Sequence, residues 1–291
     1  MQLTVLILYF FLIYFVIAKS YQLTYISSGF FQLSHAIVIT YGAYFVYWLS
    51  VNFFVNIYLS IILSLFLSSL MGLGFDYLVY RPLRKLKMNN MDLMIASLGV
   101  FVVFQNIISL VWGDRILSFQ NQFDDSIVVF LGTVYISHTQ AVTIVMCLFL
   151  LPLLWWFSEK TAIGKKIKIL SVNPLMAEIF GVRKDKVIGW SYLVGSLCAA
   201  FAGILIAANY NIIPKMGFNW LFLSIVTMIM AGNGKMRFLM FSALLLAVIQ
   251  QYSAFFFDGK WMNATAYIIL VVFLYFRPYG FSGKRIKKTE V

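Results

Sequence analysis

The sequence predicts an all-α, polytopic integral membrane protein: a bundle of about eight or nine transmembrane helices with one broken helix near the N-terminus. Of its 291 residues, 62% are hydrophobic and only 11% are charged, whereas soluble domains average about 25% charged residues. Eight stretches of 16 to 56 residues contain no charge, and about 20 mostly apolar residues cross a bilayer as a helix. These observations exclude soluble enzymes, disordered regulators and disulfide-stapled secreted modules.

The charge-free stretches place the spans in order along the chain. We predict spans at 3–17, 21–50, 53–77, 93–112, 127–157, 187–209, 219–231, 239–257 and 262–276. The first stretch lacks a basic leader region and is expected to be an uncleaved span. No low-complexity linker separates the spans, so we expect one transmembrane domain over 1–283, with a cytoplasmic loop at 159–186 and a basic cytoplasmic tail at 284–291.

The basic residues gather on one side of the predicted membrane. Alternate crossings place 19 of the 22 Lys and Arg residues on one side and three, Arg115, Lys215 and Lys260, on the other. Loops rich in Lys and Arg stay cytoplasmic. We therefore expect the N-terminus outside and the C-terminus in the cytoplasm. Topology also accounts for the formal charge of +12, so we expect a lipid bilayer and no nucleic acid as partner.

Polar residues interrupt the longest charge-free stretch, Ser20–Phe75. The 21–50 segment is too long for one straight span, so we predict a helix broken near Ser28 and Gly29. Such breaks are tolerated in membranes only where protein or a water-filled cavity covers them. Two interpretations stay open: the break lines a substrate path, or its small residues let helices pack closely. The path candidates are Ser27, Ser28, Gly29, Gln32, Ser34 and His35.

Two adjacent amides, Gln105 and Asn106, lie midway through the fourth span and complete the path candidates. Hydrogen bonding between helices is the alternative explanation for them. His35 has no carboxylate at helical spacing, so we expect it to be hydrogen-bonded and to orient the turn. Cys147 and Cys198 both lie in apolar stretches and provide no metal-ligand spacing. We predict no catalytic residues, no metal site and no cofactor.

The cytoplasmic loop contains a short helix inside a basic segment. Asn173 is a favoured N-cap, Pro174 suits the first helical position, and Gly181 suits the C-terminal stop. Apolar side chains within a charged rim mark a protein contact, with an interfacial helix on anionic lipid as the alternative. Ala177 is expected to leave room for the partner's surface. The docking candidates are Asn173, Pro174, Leu175, Met176, Ala177, Glu178, Ile179, Phe180 and Gly181.

The chain encodes no energy source. The Gly232–Lys235 tract lacks the first glycine of a G-x-x-x-x-G-K-[ST] phosphate loop. Asp76 and Asp92 lie at predicted helix ends rather than in a proton relay at membrane depth. We therefore expect no enzymatic activity, and any energy for transport must come from a separate protein.

Taken in order, these features resemble the permease subunits of branched-chain amino acid ABC transporters, from about Leu23 to Gly283. Each matching tract is weak alone, but the ordered set is specific. The tracts are Leu33-Ser34-His35-Ala36, Gly42-Ala43-Tyr44, Tyr80-Arg81-Pro82-Leu83-Arg84, Ser97-Leu98-Gly99, Gln105-Asn106, Trp112-Gly113, Gly164, Asn173-Pro174, Ala177, Gly181-Val182, Pro214, Gly217 and Arg277-Pro278-Tyr279-Gly280-Phe281.

The resemblance implies a multi-pass permease of the bacterial inner membrane. It implies three kinds of protein partner: a second, homologous permease subunit, cytoplasmic ATP-binding subunits and an external substrate-binding protein. The Ala177–Gly181 segment would be the coupling helix. The cargo would be a branched-chain, hydrophobic amino acid or a related small polar solute such as urea or an amide.

The chain departs from the family pattern at several positions. It has Gln32 and Ala36 where the family usually has Asn and Gly, Ala231-Gly232 in place of a Gly-Gly pair, and Lys235 in place of a small residue. These departures concern the substrate more than the fold.

Two other classes of function are weighed against the permease. A stand-alone secondary carrier would need inverted repeats or an ion site, and a membrane-embedded enzyme would need converging acid, base or metal ligands. The sequence provides no convincing example of either.

Overall fold

The computed structural model describes residues 2–119, 128–131, 134–232, 235–278 and 280–282, and these are almost entirely helical. Within them, two short strands, β1 (Val128–Leu131) and β2 (Val134–Ser137), form an antiparallel hairpin with Val128 opposite Ser137. The helices are α1 (Gln2–Ser28), α2 (His35–Tyr47), α3 (Ile57–Phe75), α4 (Arg81–Lys85), α5 (Asn90–Trp112), α6 (His138–Lys160), α7 (Ala162–Val172), α8 (Pro174–Ile179), α9 (Lys184–Asn209), α10 (Met216–Ala231), α11 (Met236–Phe256) and α12 (Met262–Phe276).

Helical stretches long and apolar enough to cross a membrane number seven among the described residues, and α10 is a shorter apolar helix. Single π-helical turns extend two of the helices: Trp48–Asn52 continues α2, and Asp76–Tyr80 joins α3 to α4. The predicted class, a polytopic all-α membrane bundle, is confirmed.

The predicted helix break is present, but the boundary expected before it is wrong. α1 is one helix of 27 residues that runs through Lys19, where the sequence placed a loop between two spans. Lysine is a good helix former, and Lys19 is buried within the protein. One lysine therefore does not end this helix, which stops at Ser28, and α2 begins at His35.

The span predicted at 127–157 is also wrong in its first part, because helix α6 begins only at His138. The residues before it include Val128, Val129, Val134 and Ile136, and β-branched side chains favour strands. Asp124, Asp125 and the 284–291 tail, which entered the topology prediction, lie outside the described residues.

The chain forms two compact units, whose boundaries fall within α1, α6 and α10 and between Asp125 and Ser126. The first, called the α9 unit here, comprises Ser20–Asp125 and Trp156–Leu221. The second, called the α11 unit, comprises Met1–Lys19, Ser126–Trp155 and Phe222–Val291. The single transmembrane domain expected from sequence stays a prediction.

In the α9 unit, helices α2 and α9 touch backbone to backbone. A methyl group added at Gly42 would lie 2.7 Å from the Ala200 carbonyl oxygen, and one added at Gly203 would collide with the Ile39 carbonyl. Small residues permit this approach between membrane helices. The contact makes α9 the centre of the unit.

The helices α3 and α5 differ in how much of their surface is buried against the rest of the α9 unit. α3 turns a row of small residues inward, and the Ser64 hydroxyl donates a 2.6 Å hydrogen bond to the Gly42 carbonyl. α5 is peripheral: 11% of the residues in its most apolar stretch are buried, against 78% for α9.

In the α11 unit, α11 and α12 form a helical hairpin in which the Gln250 amide donates to the Met262 carbonyl at 2.9 Å. The chain beyond α12 then returns to the end of α10. The Phe281 N–H donates to the Met230 carbonyl at 2.9 Å, and the Phe281 ring packs against Phe241 and Phe273.

The α2–α9 contact predicts a large difference between two glycine substitutions. Gly203→Ala should destabilise the protein by about 1–3 kcal/mol, because the added methyl group overpacks a backbone contact. Gly99→Ala on α5 is the matched control, since no neighbouring atom lies within 4 Å of its added methyl group. Thermal unfolding in detergent, followed by the loss of monodisperse protein, measures both. Equal midpoints for the two variants would contradict the proposed contact.

Candidate functional site

Side chains from neighbouring helices satisfy backbone groups that the break between α1 and α2 frees. Gly29 has φ +82°, a conformation that glycine adopts readily. The Gln32 N–H donates to the Tyr21 hydroxyl at 3.1 Å, and the Leu33 N–H donates to the Ser97 hydroxyl at 3.1 Å. These two N–H groups are therefore occupied within the chain.

A buried polar cluster continues from these bonds. The Gln32 amide donates to the Ser34 hydroxyl at 3.1 Å, and Ser34 shares a 2.6 Å hydrogen bond with the Tyr80 hydroxyl. The Tyr80 ring lies 5.8 Å from the Tyr192 ring of α9. Helices α1, α2 and α9 and the π-helical turn before α4 all contribute to this cluster, so it locks the break to its surroundings.

His35 lies at the start of α2 and is fully buried. Its Nε2 shares a 3.1 Å hydrogen bond with the Ser20 hydroxyl, and its ring meets the edge of Tyr21. The absence of a side chain at Gly195 makes space, because an added methyl group would lie 2.7 Å from Thr24 and 3.9 Å from the His35 ring. The hydrogen bond expected for His35 is present.

The break lies near one end of the spanning helices rather than midway along them. Ser97 is seven residues beyond the start of α5, and Ser191, which is hydrogen-bonded to Ser27, is seven residues beyond the start of α9. Seven residues correspond to about 10 Å of helix. Both helix starts adjoin basic segments, so the break is in the third of the helices nearest those segments.

The structure separates the predicted path residues into two places. Gln105 and Asn106 lie eight and nine residues beyond Ser97 on α5, about 12 Å further along the helix axis. Asn106 is exposed, and its amide donates to the Val102 carbonyl at 2.7 Å. Among the described residues no hydrogen bond joins either amide to the break. The other candidates gather around the break: Ser27, Ser28, Gly29, Gln32, Ser34 and His35.

Two acids and two arginines connect the π-helical turn and α4 with the first turn of α9. Arg84 donates to the buried Asp76 carboxylate at 2.7 Å, with 11% and 4% of the two side chains exposed. Arg81 pairs with Asp185 at 3.2 Å, but these side chains are 35% and 39% exposed. Arg84 also lies 3.8 Å from Asp185, so the four residues form one network.

The short helix predicted in the loop is confirmed as α8. The Asn173 side chain accepts a hydrogen bond from the Met176 N–H at 3.1 Å, as an N-cap does. At the other end Gly181 has φ +72°, and the Val182 N–H donates to the Ala177 carbonyl at 2.9 Å. This is the glycine stop that the sequence predicts.

α8 turns an apolar surface outward. Met176, Ile179 and Phe180 are 50%, 69% and 77% exposed, and we call these three residues the α8 patch. The expectation for Ala177 is wrong: it is fully buried, so it contacts the chain itself and leaves no room for a partner. The Leu175 side chain lies outside the described part of the structure.

Sequence reasoning missed most of the groups that hold the break. Tyr21 and Tyr80 supply hydroxyls, and Ser97 and Ser191 bind it from α5 and α9. Tyrosines in apolar stretches were the available signal, because a buried tyrosine usually finds a hydrogen-bond partner for its hydroxyl. The sequence does not indicate which residue that partner is. Among the described residues, no three His, Cys, Asp or Glu side chains are grouped to hold a metal ion.

Residues 3–276 match the family described as "Branched-chain amino acid transport system / permease component". LivH of Escherichia coli (strain K12), a high-affinity branched-chain amino acid transport system permease protein, is 24% identical over 222 residues, covering 75% of this chain and 71% of LivH. YtfT of the same organism, a galactofuranose transporter permease protein, is 26% identical over 159 residues, covering 53% of this chain and 44% of YtfT.

Among solved structures, a chain of PsaBC from Streptococcus pneumoniae in complex with Fab is similar over 100% of this chain and 96% of its own length. The TM-score is 0.51 and the sequence identity 11%. This likeness concerns the fold alone.

The ion network predicts unequal effects for its two acids. Asp76→Asn should cost about 3–5 kcal/mol of folding stability, because it leaves the Arg84 guanidinium buried without its carboxylate. Asp185→Asn should cost about 1 kcal/mol or less, because its pairs are half exposed. Thermal unfolding in detergent compares them. The double variant Asp76→Asn/Arg84→Gln should recover part of the loss, and equal losses for the two single variants would refute the assignment.

Proposed function

Since the chain belongs to the family of branched-chain amino acid permease components, and is therefore a permease subunit of an ABC transport system, we propose that it imports a small solute. The favoured cargo is a branched-chain, hydrophobic amino acid, the class named for LivH. A related small polar solute such as urea or an amide is the second possibility, because Gln32 and Ala36 depart from the family pattern. Import here means transport into the bacterial cytoplasm across the inner membrane.

We propose that the chain acts with three kinds of partner: a second, homologous permease subunit, cytoplasmic ATP-binding subunits and an external substrate-binding protein. Without Lys19, which lies inside α1, the asymmetry of 18 basic residues against three still supports an orientation with the N-terminus outside and the C-terminus in the cytoplasm. In this orientation α8 and the ion network face the cytoplasm, where ATP-binding subunits would be.

The observation that carries the proposal is the α8 patch. Two large apolar side chains are exposed on the six-residue helix α8 and a third, Phe180, directly after it, between the basic stretches Lys165–Lys168 and Arg183–Lys186. Apolar side chains with a charged rim are typical of protein interfaces. We propose that the ATP-binding subunit covers the α8 patch, while Ala177 holds α8 against the α9 unit.

The exposed face of α5 is the favoured substrate path. Asn106 is exposed midway along a helix whose other exposed side chains are largely apolar, and a polar group facing lipid is unfavourable. We propose that this face meets the second permease subunit and water rather than lipid. The polar cluster at the break then positions α2, because Gln32 and Ser34 are buried and bonded within the chain.

Cysteine labelling tests the path. In a background with Cys147 and Cys198 replaced by Ala, Asn106→Cys in the assembled complex should react with a small water-soluble thiol reagent, and substrate should slow the reaction. Val271→Cys on α12, also exposed mid-helix but among apolar neighbours, is the control and should react only with lipid-soluble reagents. If both cysteines behave like the control, the α5 path is wrong.

Substitutions on two exposed apolar side chains test the docking surface. Phe180→Asp should weaken binding of the ATP-binding subunit by about tenfold or more, because it buries an unpaired charge in the contact. Leu86→Asp, on the turn after α4 and also exposed, is the matched control and should have less than about a twofold effect. Quantitative co-purification measures both, and ATP hydrolysis should be absent from the chain alone and present in the complex. A larger defect for Leu86→Asp would move the docking site to the Arg81–Lys87 turn.

A further inference from the structure

A groove of about 280 Å³ lies where α7, the turn after α8 and the first turns of α9 meet. Its lining combines basic and apolar side chains. We call it the α7–α9 groove, and it is lined by Ile163, Lys166, Gly181, Arg183, Lys186, Val187 and Trp190. None of the three α8 patch residues belongs to this lining, although Lys166, Arg183 and Lys186 both line the groove and lie in the basic stretches that flank the patch.

The groove carries three positive charges and no acid in its lining. Two acids of the neighbouring chain segments are paired outside the lining: Glu159 pairs with Lys168 at 2.5 Å, and Asp185 pairs with Arg81 at 3.2 Å. No ion pair among the described residues involves Lys166, Arg183 or Lys186. The groove therefore presents a local positive field to a ligand.

The apolar wall indicates how deep the groove lies. Trp190 is half exposed and lies six residues into α9, one of the membrane-spanning helices. Tryptophan concentrates at the level of the lipid headgroups, and Val187 and Ile163 extend the apolar side of the lining. A ligand that fills this groove therefore needs an anionic group, which would pair with the lysines and Arg183, and an apolar part, which would pack against Trp190.

We propose that the α7–α9 groove binds the phosphate-bearing headgroup of an anionic phospholipid, with the acyl chains lying along α9. Clusters of Lys and Arg beside a transmembrane helix attract anionic lipid, each contributing affinity near the membrane surface. The volume of 280 Å³ is at the lower end of small-molecule pockets, about 300–1,000 Å³, which suits a headgroup but not a whole lipid. An acidic segment of the ATP-binding subunit is less favoured as a ligand, because acidic side chains alone would leave the Trp190 side of the groove without an apolar contact.

The test uses the purified full-length chain in a neutral detergent and needs no ATP-binding subunit, so its result is independent of the proposed function. Mass spectrometry of the intact protein, titrated with phosphatidylglycerol or with phosphatidylcholine of the same acyl chains, yields an apparent Kd for each lipid. We expect the anionic lipid to bind about tenfold or more tightly than the zwitterionic one. Equal affinities would overturn the proposal.

Two double variants separate the groove from general surface charge. Lys166→Gln/Lys186→Gln removes two groove lysines, and Lys165→Gln/Lys184→Gln removes two charges from the same helices outside the groove. The first should weaken binding of phosphatidylglycerol by about tenfold or more, and the second by about twofold or less. Both pairs are exposed, so both proteins should remain monodisperse. Equal losses would overturn the proposal.

Two further arms distinguish the source of the anion and the kind of partner. Inorganic phosphate at millimolar concentration should not displace phosphatidylglycerol; displacement would identify a free anion as the ligand and overturn the lipid assignment. Lys166→Gln/Lys186→Gln should retain binding of the ATP-binding subunit. A variant that keeps its lipid affinity but loses that subunit would show that the groove belongs to a protein interface, and would also overturn the proposal.

Discussion

Direct backbone contact between α2 and α9 is the constraint on which the α9 unit depends. Within a bilayer, burial of apolar side chains between helices gains little over contact with lipid, so close packing and hydrogen bonds must hold helices together. Gly42 and Gly203 remove the side chains that would keep the two backbones apart. The Gly42 carbonyl, brought to this surface, then accepts the Ser64 hydroxyl of α3. One close approach therefore organises three helices.

The same proximity determines the polar chemistry near the break. Because Gly195 has no side chain, α9 passes close to Thr24 of α1 and to the His35 ring. The Tyr192 ring, also on α9, packs against the Tyr80 ring of the π-helical turn. Only four residues, 180–183, separate α8 from α9, and Asp185 ties the first turn of α9 to Arg81. Under the proposed function, a displacement of α8 by an ATP-binding subunit would pass along α9 to both the ion network and the break.

Burial is distributed very unevenly over the spanning helices. Within its most apolar stretch, α9 is 78% buried, whereas α5 is 11% and α12 is 6% buried. α12 is apolar throughout its middle, as a helix in contact with lipid should be, while α5 carries the amides Gln105 and Asn106 within its span. This contrast between two helices of similarly low burial is the physical basis for the proposed contact of α5 with protein or water.

Local sequence alone determined the membrane class, most helix boundaries after α5, the break beyond Ser28, and the cap and stop of α8. These features follow from hydropathy, capping residues and glycines, whose effects extend over only a few neighbouring positions. The tertiary structure decided what depends on distant parts of the chain. α1 continues through Lys19, which is buried in the fold, and residues 128–131 pair with 134–137 as antiparallel strands where their apolar character alone suggested a helix. Ala177 faces inward because the α9 unit packs behind α8, and the break is bonded to Tyr80, Ser97 and Ser191, residues 46 to 164 positions away from their partners. Spacing along a sequence records which face of one helix is apolar; it does not record which other helix will cover that face.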